Sequence, residues 1–399
     1  MLDLGTYRDM MVKCSHCGLC QATCPVYQED QLQTHLARAR VDLIREALLD
    51  KALAPGRRFR EVLDRCLLCG NCARTCPAGV RADEIVAAAR SRLYGGKKHN
   101  AVRRALLKKF MRDRGSKGLL ARAGRIAHKA GWLPEELPPP SPEPFEKRFR
   151  DRIHASGKMR AKAVYFVGCA TNTLYPDTGE AVIKALTANG VKVLIPQGQV
   201  CCGLPALAEG DLALAQEVVR RNVSVLSACE ADAVVTDCTS CGMMLKTKAA
   251  LLLPEDDPLK PQALALAAKI WEVTDYLANL GLVSAPSPVA AKWTYHLPCH
   301  RGWTPTLDEA PRNLLGEIPE AERIEMEYPE SCCGAGGLFF LEFKELASAL
   351  RARKIADIRA TGARTVLTQC PACRSFLRTR LEGIRVAHPI SLLAEAFGG

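Results

Sequence analysis

The apolar positions of this 399-residue chain change their period along its length. Up to about residue 95 they recur at helical spacing, as in "LARARVDLIREALLDKAL" (36–53), which predicts amphipathic helices. Between 97 and 129 they thin to a stripe that includes Val102, Leu106, Leu107 and Phe110, the pattern of an amphipathic helix in a polar background. From about 160, short β-branched runs alternate with helical stretches. "AKAVYFVGC", "VKVLIP" and "ADAVVTDC" predict strands, and "KWTYHLPC" and "ARTVLTQC" repeat the theme further on. Strand–helix–strand alternation of this kind predicts α/β units. Between the two regimes, the prolines of "GWLPEELPPPSPEP" (131–144) predict a stiff, extended linker.

The pattern divides the chain into a helical module (1–95), a basic helical segment with the proline-rich linker (96–159), and two α/β domains (160–285 and 286–399). The fold class expected is therefore α+β and multidomain. Composition agrees: 48% hydrophobic and 25% charged residues describe a globular chain, too long for one ordinary core. The net charge of +12 is concentrated between 97 and 129. There Lys97, Lys98, Arg103, Arg104, Lys108, Lys109, Arg112, Arg114, Lys117, Arg122, Arg125 and Lys129 are opposed by Asp113 alone. Such a segment suits an acidic partner, anionic lipid on the inner face of a membrane, or a solvated helical face. No nucleic-acid partner is expected.

Nineteen cysteines change the picture most. "MLDLGTYRDMMVKC" has no apolar signal core, which predicts a cytoplasmic chain with reduced thiols available to metal. No apolar run approaches membrane-spanning length. The cysteines are written in two repeats. Cys14, Cys17, Cys20 and Cys24 recur as Cys66, Cys69, Cys72 and Cys76. Further on, Cys169, Cys201–Cys202–Gly203, Cys238 and Cys241 recur as Cys299, Cys332–Cys333–Gly334, Cys370 and Cys373. The corresponding gaps are 32 and 33 residues before each pair and 36 and 37 after it, which implies duplication of a metal-binding domain. Only Cys229 is left over, and it reads as a helix-borne thiol packed as a small hydrophobe.

"CSHCGLCQATCP" and "CLLCGNCARTCP" both match C-x2-C-x2-C-x3-C-P, the bacterial two-cluster ferredoxin pattern. Three thiolates three residues apart wrap one face of a cubane, and the cysteine before proline reaches the other cluster. One [4Fe–4S] cluster then takes Cys14, Cys17, Cys20 and Cys76, and the second takes Cys66, Cys69, Cys72 and Cys24. Structural zinc would need neither the third cysteine of each run nor the trailing Cys-Pro. His16 reads as a spacer.

In the α/β halves, Cys169, Cys238, Cys299 and Cys370 each follow a predicted strand, where such sheets bind ligands. Five cysteines per half exceed the four of a cubane, so one is surplus or one thiolate bridges two irons. Adjacent cysteines suit bridging, the following glycine permits the turn, and the glycines of "GAGG" can bring amides close to sulfide. Zinc in one half is the competing reading.

The duplicated pattern C-x31-CCG-x34-C-x-x-C resembles the cysteine-rich CCG domains of heterodisulfide reductase. A ferredoxin module followed by two CCG domains resembles the fused iron–sulfur subunit of that enzyme, and equally the iron–sulfur subunits of glycolate oxidase and D-lactate dehydrogenase complexes. The resemblance implies one or two further [4Fe–4S] clusters, noncubane in heterodisulfide reductase, and an FAD-containing 2-hydroxy-acid oxidase partner. It implies electron relay to quinone or another membrane-associated acceptor; the alternative is disulfide reduction at a CCG cluster. A zinc-held binding module is the non-redox reading. No flavin, nicotinamide or P-loop fingerprint and no catalytic triad accompanies the cysteines, so a relay subunit of an oxidoreductase complex is expected and no catalytic residue is assigned. His300, beside Cys299, is a candidate hydrogen-bond donor to cluster sulfur or a structural histidine.

Overall fold

The structure, a computed structural model, describes residues 3–113, 119–149, 151–304 and 306–398. The N-terminal part is built from short helices. Pro25 opens one of them (Pro25–Asp30) directly after Cys24, where its missing N–H costs nothing. The helix predicted in 36–53 runs from Ala37 to Ile44 and continues through a wider turn, Arg45–Leu49. It buries Val41 and Ile44 in the core that also takes Ile85 and Val86 of the helix Ala82–Tyr94.

Two sheets follow. The first contains β1 (Asp151–Ile153), β2 (Ala161–Tyr165), β3 (Val191–Ile195), β4 (Ala233–Thr236) and β5 (Ile270–Glu272), in the order β1-β3-β2-β4-β5. All pairings are parallel except β1 with β3. The second contains β6 (Ala291–Tyr295), β7 (Ala321–Arg323), β8 (Thr365–Leu367) and β9 (Arg385–Ala387), in the order β7-β6-β8-β9, all parallel. The arrangement β3-β2-β4-β5 is thus repeated strand for strand, as the cysteine spacing predicts. Tyr165 lies opposite Val235 in one sheet, and Tyr295 lies opposite Leu367 in the other. Every predicted strand is present. Ala163, Val164 and Tyr165 are fully buried, as befits a parallel strand covered on both faces. The fold is α+β.

Three hydrophobic cores hold these parts together, and each spans at least two of them. One joins Ile44, Leu63 and Ile85 of the N-terminal helices to Val218, Leu245 and Leu252 beside the first sheet. A second joins Tyr165 and Val193 of the first sheet to Trp293, Leu315 and Leu393 around the second. The third joins Val26, Tyr27 and Leu36 to Leu350, Val366 and Phe376. The assembly is a triangle of modules with no free hinge among these contacts.

The proline-rich stretch is accordingly a strap and not a spacer held in solvent. Glu136 pairs with Arg351 at 2.9 Å and Glu135 with Arg380 at 3.0 Å, both beside the second sheet. Ser141 N then donates to Thr173 O at 2.7 Å, and Phe145 is buried against the first sheet's domain. The basic segment forms two helices, Ala101–Asp113 and Leu119–Lys129, and much of its charge is answered from within the chain. Lys98 Nζ lies 3.4 Å from Asp64, 3.5 Å from Glu209 and 2.9 Å from Glu342, one carboxylate from each of the three modules. Lys108 reaches Asp211, and Arg112 reaches Glu217. Arg114 and Lys117 lie outside the described residues. Among the described residues, no helix is long and apolar enough to cross a membrane.

Candidate metal centres

None of the cysteines is in a disulfide. The two ferredoxin-like loops have the same backbone. His16 and Gly18 (φ 56° and 82°) are left-handed in the first, and Leu68 and Gly70 (φ 53° and 71°) are left-handed in the second. Alternating handedness of this kind makes a concave nest of inward-facing amides that suits an anionic group. His16 is indeed a spacer at this point, its imidazole turned to Asp42 at 3.3 Å. Val80 N donates to Cys76 Sγ at 3.3 Å.

The thiols of the two loops are close enough to act on one another. Burial raises the Cys14 thiol, and the nearby charges of Cys20 and Cys76 raise it further. Burial likewise raises Cys72, to which Cys66, Asp83, Cys24 and Cys20 add. Cys76 thus lies near Cys14, and Cys24 near Cys66 and Cys72, so each cysteine before a proline is close to thiols of the opposite loop. Cys17 is the exposed member of its set.

Both CCG pairs lie beyond the carboxyl ends of the parallel strands, among the remaining cysteines of their halves. Cys201, Cys202, Cys238 and Cys241 are buried, with Cys169 Sγ 3.8 Å from Cys201 Sγ. Cys333, Cys370 and Cys373 are buried likewise, with Cys333 Sγ 3.2 Å from Cys373 Sγ. Gly203 (φ 98°) and Gly334 (φ 88°) each follow a pair in a left-handed conformation. A Cβ on Gly334 would stand 2.3 Å from Ala347 O, and one on Gly203 would stand 2.9 Å from Val218 Cγ2. The turn after each pair thus needs glycine for space as well as for handedness. Gly334 N donates to Cys332 Sγ at 3.3 Å, whereas Gly336 of "GAGG" packs against Leu67.

The second cysteine of each pair is the acidic one. Hydrogen bonds from Cys201 and Cys241 pull the Cys202 thiol down to about 6. Cys332 and Cys373 hold Cys333 well below the ordinary thiol range. A thiolate in a nest of thiols is a metal-binding donor set, so the residues fit an iron–sulfur group. Cys229 lies just past the helix Leu212–Ser227, half-buried, its thiol turned to Val225 O at 3.6 Å.

His300 joins three of these sites and leaves the sulfurs alone. Its Nε2 lies 3.1 Å from Leu68 O, between Cys66 and Cys69, and its Nδ1 lies 2.9 Å from Ser240 Oγ, between Cys238 and Cys241. A carbonyl can only accept, so Nε2 carries the proton and Nδ1 accepts from the serine hydroxyl. Arg74 donates to Cys299 O at 2.7 Å, and Trp303 Nε1 donates to Thr239 O at 3.1 Å. Thr239 N donates to Gln369 O at 3.1 Å, which ties the residue after Cys238 to the residue before Cys370. The second ferredoxin loop and both CCG sites are therefore fastened to one another directly.

The histidine that does face sulfur is His296. It is 2% exposed, and its ring lies within 4.8 Å of the thiols of Cys333 and Cys373. In the sequence His296 and His300 flank Cys299 in "YHLPCHRG", and it is the adjacent His300 that draws the sulfur-facing reading.

Comparison with known proteins agrees with this geometry. A 4Fe-4S dicluster domain matches residues 10–80, and a cysteine-rich CCG domain matches 163–246 and 293–378. The chain is 31% identical to a lactate utilization protein A of Bacillus pumilus over 58% of this chain and 96% of that one. It is 28% identical to one of the subunits of a fumarate reductase (CoM/CoB) of Methanothermobacter marburgensis, over 96% of this chain and 72% of the relative. It is 30% identical to a probable glycolate oxidase iron-sulfur subunit of Bacillus subtilis, over 97% of this chain and 94% of the relative. Full-length likeness, joined to the dicluster loops and the duplicated CCG sites, places the chain in the family of the glycolate oxidase iron–sulfur subunits, electron-transfer components of oxidoreductase complexes.

Proposed function

We propose that the chain relays electrons from an FAD-containing partner that oxidises a 2-hydroxy acid, glycolate or D-lactate, towards quinone or another acceptor. Two cubane clusters would be held by Cys14, Cys17, Cys20 and Cys76 and by Cys66, Cys69, Cys72 and Cys24. The CCG sites would hold further clusters through Cys169, Cys201, Cys202, Cys238 and Cys241 and through Cys299, Cys332, Cys333, Cys370 and Cys373. Iron–sulfur clusters supply one-electron uptake and release, which converts the two-electron chemistry of a flavin into single steps.

The observation that carries this reading is the direct fastening of the second ferredoxin loop to both CCG sites through Leu68, His300 and Ser240. Those hydrogen bonds fix the loops relative to one another, so the spacing between sites does not fluctuate with domain motion. Arg74 and the Trp303 indole add hydrogen bonds to Cys299 O and Thr239 O at the same junction. Seven of the ten cysteines of the CCG sites are buried and no organic redox fingerprint accompanies them, which suits a relay whose substrate chemistry occurs on another chain.

The test is to purify the native complex anaerobically and to assay it with glycolate, D-lactate and a quinone analogue. Co-purification of a flavoprotein, with flavin-dependent reduction of this chain's clusters by a hydroxy acid, is the expected result. Reduction of the acceptor by the flavoprotein with this chain absent would overturn the relay. Reoxidation of the reduced chain by a disulfide and not by quinone would favour disulfide reduction.

A further inference from the structure

The two CCG halves are duplicates, so each position in one has a built-in control in the other. His296 stands three residues before Cys299, and Phe166 stands three residues before Cys169. The backbones confirm the match. Phe166 N donates to Val235 O at 2.9 Å, and His296 N donates to Leu367 O, the matching carbonyl, at 2.9 Å. Both residues are buried, Phe166 fully and His296 to all but 2%. One half therefore places a phenyl ring beneath its cysteines, and the other places an imidazole.

That imidazole makes no hydrogen bond of ordinary geometry among the described residues, and the groups near enough to receive one are the Cys333 thiol and the Pro329 carbonyl. A histidine kept only for packing would normally find a well-aligned carbonyl or hydroxyl, because leaving a buried polar group unpaired is costly. His300 shows what a satisfied histidine looks like in the same loop. The ring of His296 lies instead within 4.8 Å of the Cys333 and Cys373 thiols. An imidazole carries at least one N–H in either protonation state, so the ring has a donor to give.

We propose that His296 is a positioning residue that directs its N–H at the Cys333 sulfur, and that this sets the reduction potential of the second CCG site above that of the first. The inference rests on the relay reading, since it presumes a cluster at each CCG site. An N–H aimed at a thiolate stabilises the more negative, reduced state, and hydrogen bonds to sulfur are among the levers that set cluster potentials. Phe166 offers its site no such donor. Electrons entering the junction at Leu68 and His300 would then settle on the second site, which becomes the collecting end of the pair.

The experiment is a potentiometric titration of the whole, anaerobically purified chain, followed by EPR, for wild type, His296→Phe, His296→Gln and Phe166→His. In His296→Phe the higher-potential CCG signal should fall by at least about 59 mV, a tenfold change in a one-electron equilibrium. The ferredoxin signals should stay in place, and His296→Gln, which keeps an N–H, should recover part of the loss. Phe166→His should move the other CCG signal upwards. Unchanged potentials in His296→Phe with full iron content would overturn the proposal. If that variant fails to load iron, Phe166→His decides alone, and no upward shift there overturns it. Wild type lacking iron and sulfide at the CCG sites would sink the relay reading together with this one, an outcome that metal analysis distinguishes from the others.

Discussion

At the scale of single residues, the glycine after each cysteine pair shows how tightly the metal sites are built. Both glycines are left-handed, but their surroundings differ. A Cβ at position 334 meets the rigid Ala347 carbonyl, whereas one at 203 meets the end of a Val218 side chain that can turn away. Gly334→Ala should therefore destabilise the protein by about 3–5 kcal/mol, from backbone strain plus a clash that cannot relax. Gly203→Ala should cost about 2 kcal/mol, mainly strain. Denaturant melts of the two variants measure the difference, and equal losses would contradict the reading. The cysteines make a second prediction. Cys332→Ser or Cys333→Ser should each remove one C-terminal cluster, lowering iron by about four per chain while the ferredoxin signals persist. Full iron in both variants would mean the pair is not a ligand set. The histidines show where sequence reasoning stopped short. His300 adjoins Cys299 and draws attention as a sulfur donor, but the turn after the cysteine swings its ring onto Leu68 and Ser240. His296, on the strand side, is the ring beside sulfur. Laying the two halves over one another at their cysteines shows Phe166 against His296, the one signal in the sequence that singles it out.

At the scale of elements, the duplicated β-unit was legible because its strands are buried on both faces and so read as unbroken apolar runs. Four strands were not. β1, β5, β7 and β9 are three residues each and, unlike the equally short but wholly buried β8, each carries a charged residue, with Glu322 and Arg323 of β7 on an exposed edge, so none shows an apolar run or a period. The basic segment was legible as helix, but its electrostatics were not, because its counter-charges arrive from distant parts of the chain. Lys98 is the clearest case, 11% exposed and within reach of Asp64, Glu209 and Glu342. Lys98→Met would leave three carboxylates facing one another around a buried apolar side chain, with Arg90 beside Asp64, Arg103 beside Glu342 and the His99 ring between Glu209 and Glu342. The expected loss is about 3 kcal/mol, measured by thermal or denaturant melting. No change would mean that the cluster is solvated and does not join the modules.

At the scale of the whole molecule, the two repeated cysteine patterns made the modules readable, but not their triangle. Each core is shared between modules, and such pairings involve residues far apart in the chain that no local pattern marks. Trp303, from the second half, packs on Gly242 beside Cys241 of the first. Shared cores of this kind predict one cooperative unfolding transition for the loaded chain in calorimetry; three separate transitions would contradict them. The fixed junction matters for function only if metal stands at its corners. The most direct measurement is iron, zinc and inorganic sulfide in strictly anaerobic, full-length protein. Four tetranuclear clusters predict about sixteen irons per chain, accompanied by sulfide. Colourless protein carrying zinc and no sulfide would contradict the account.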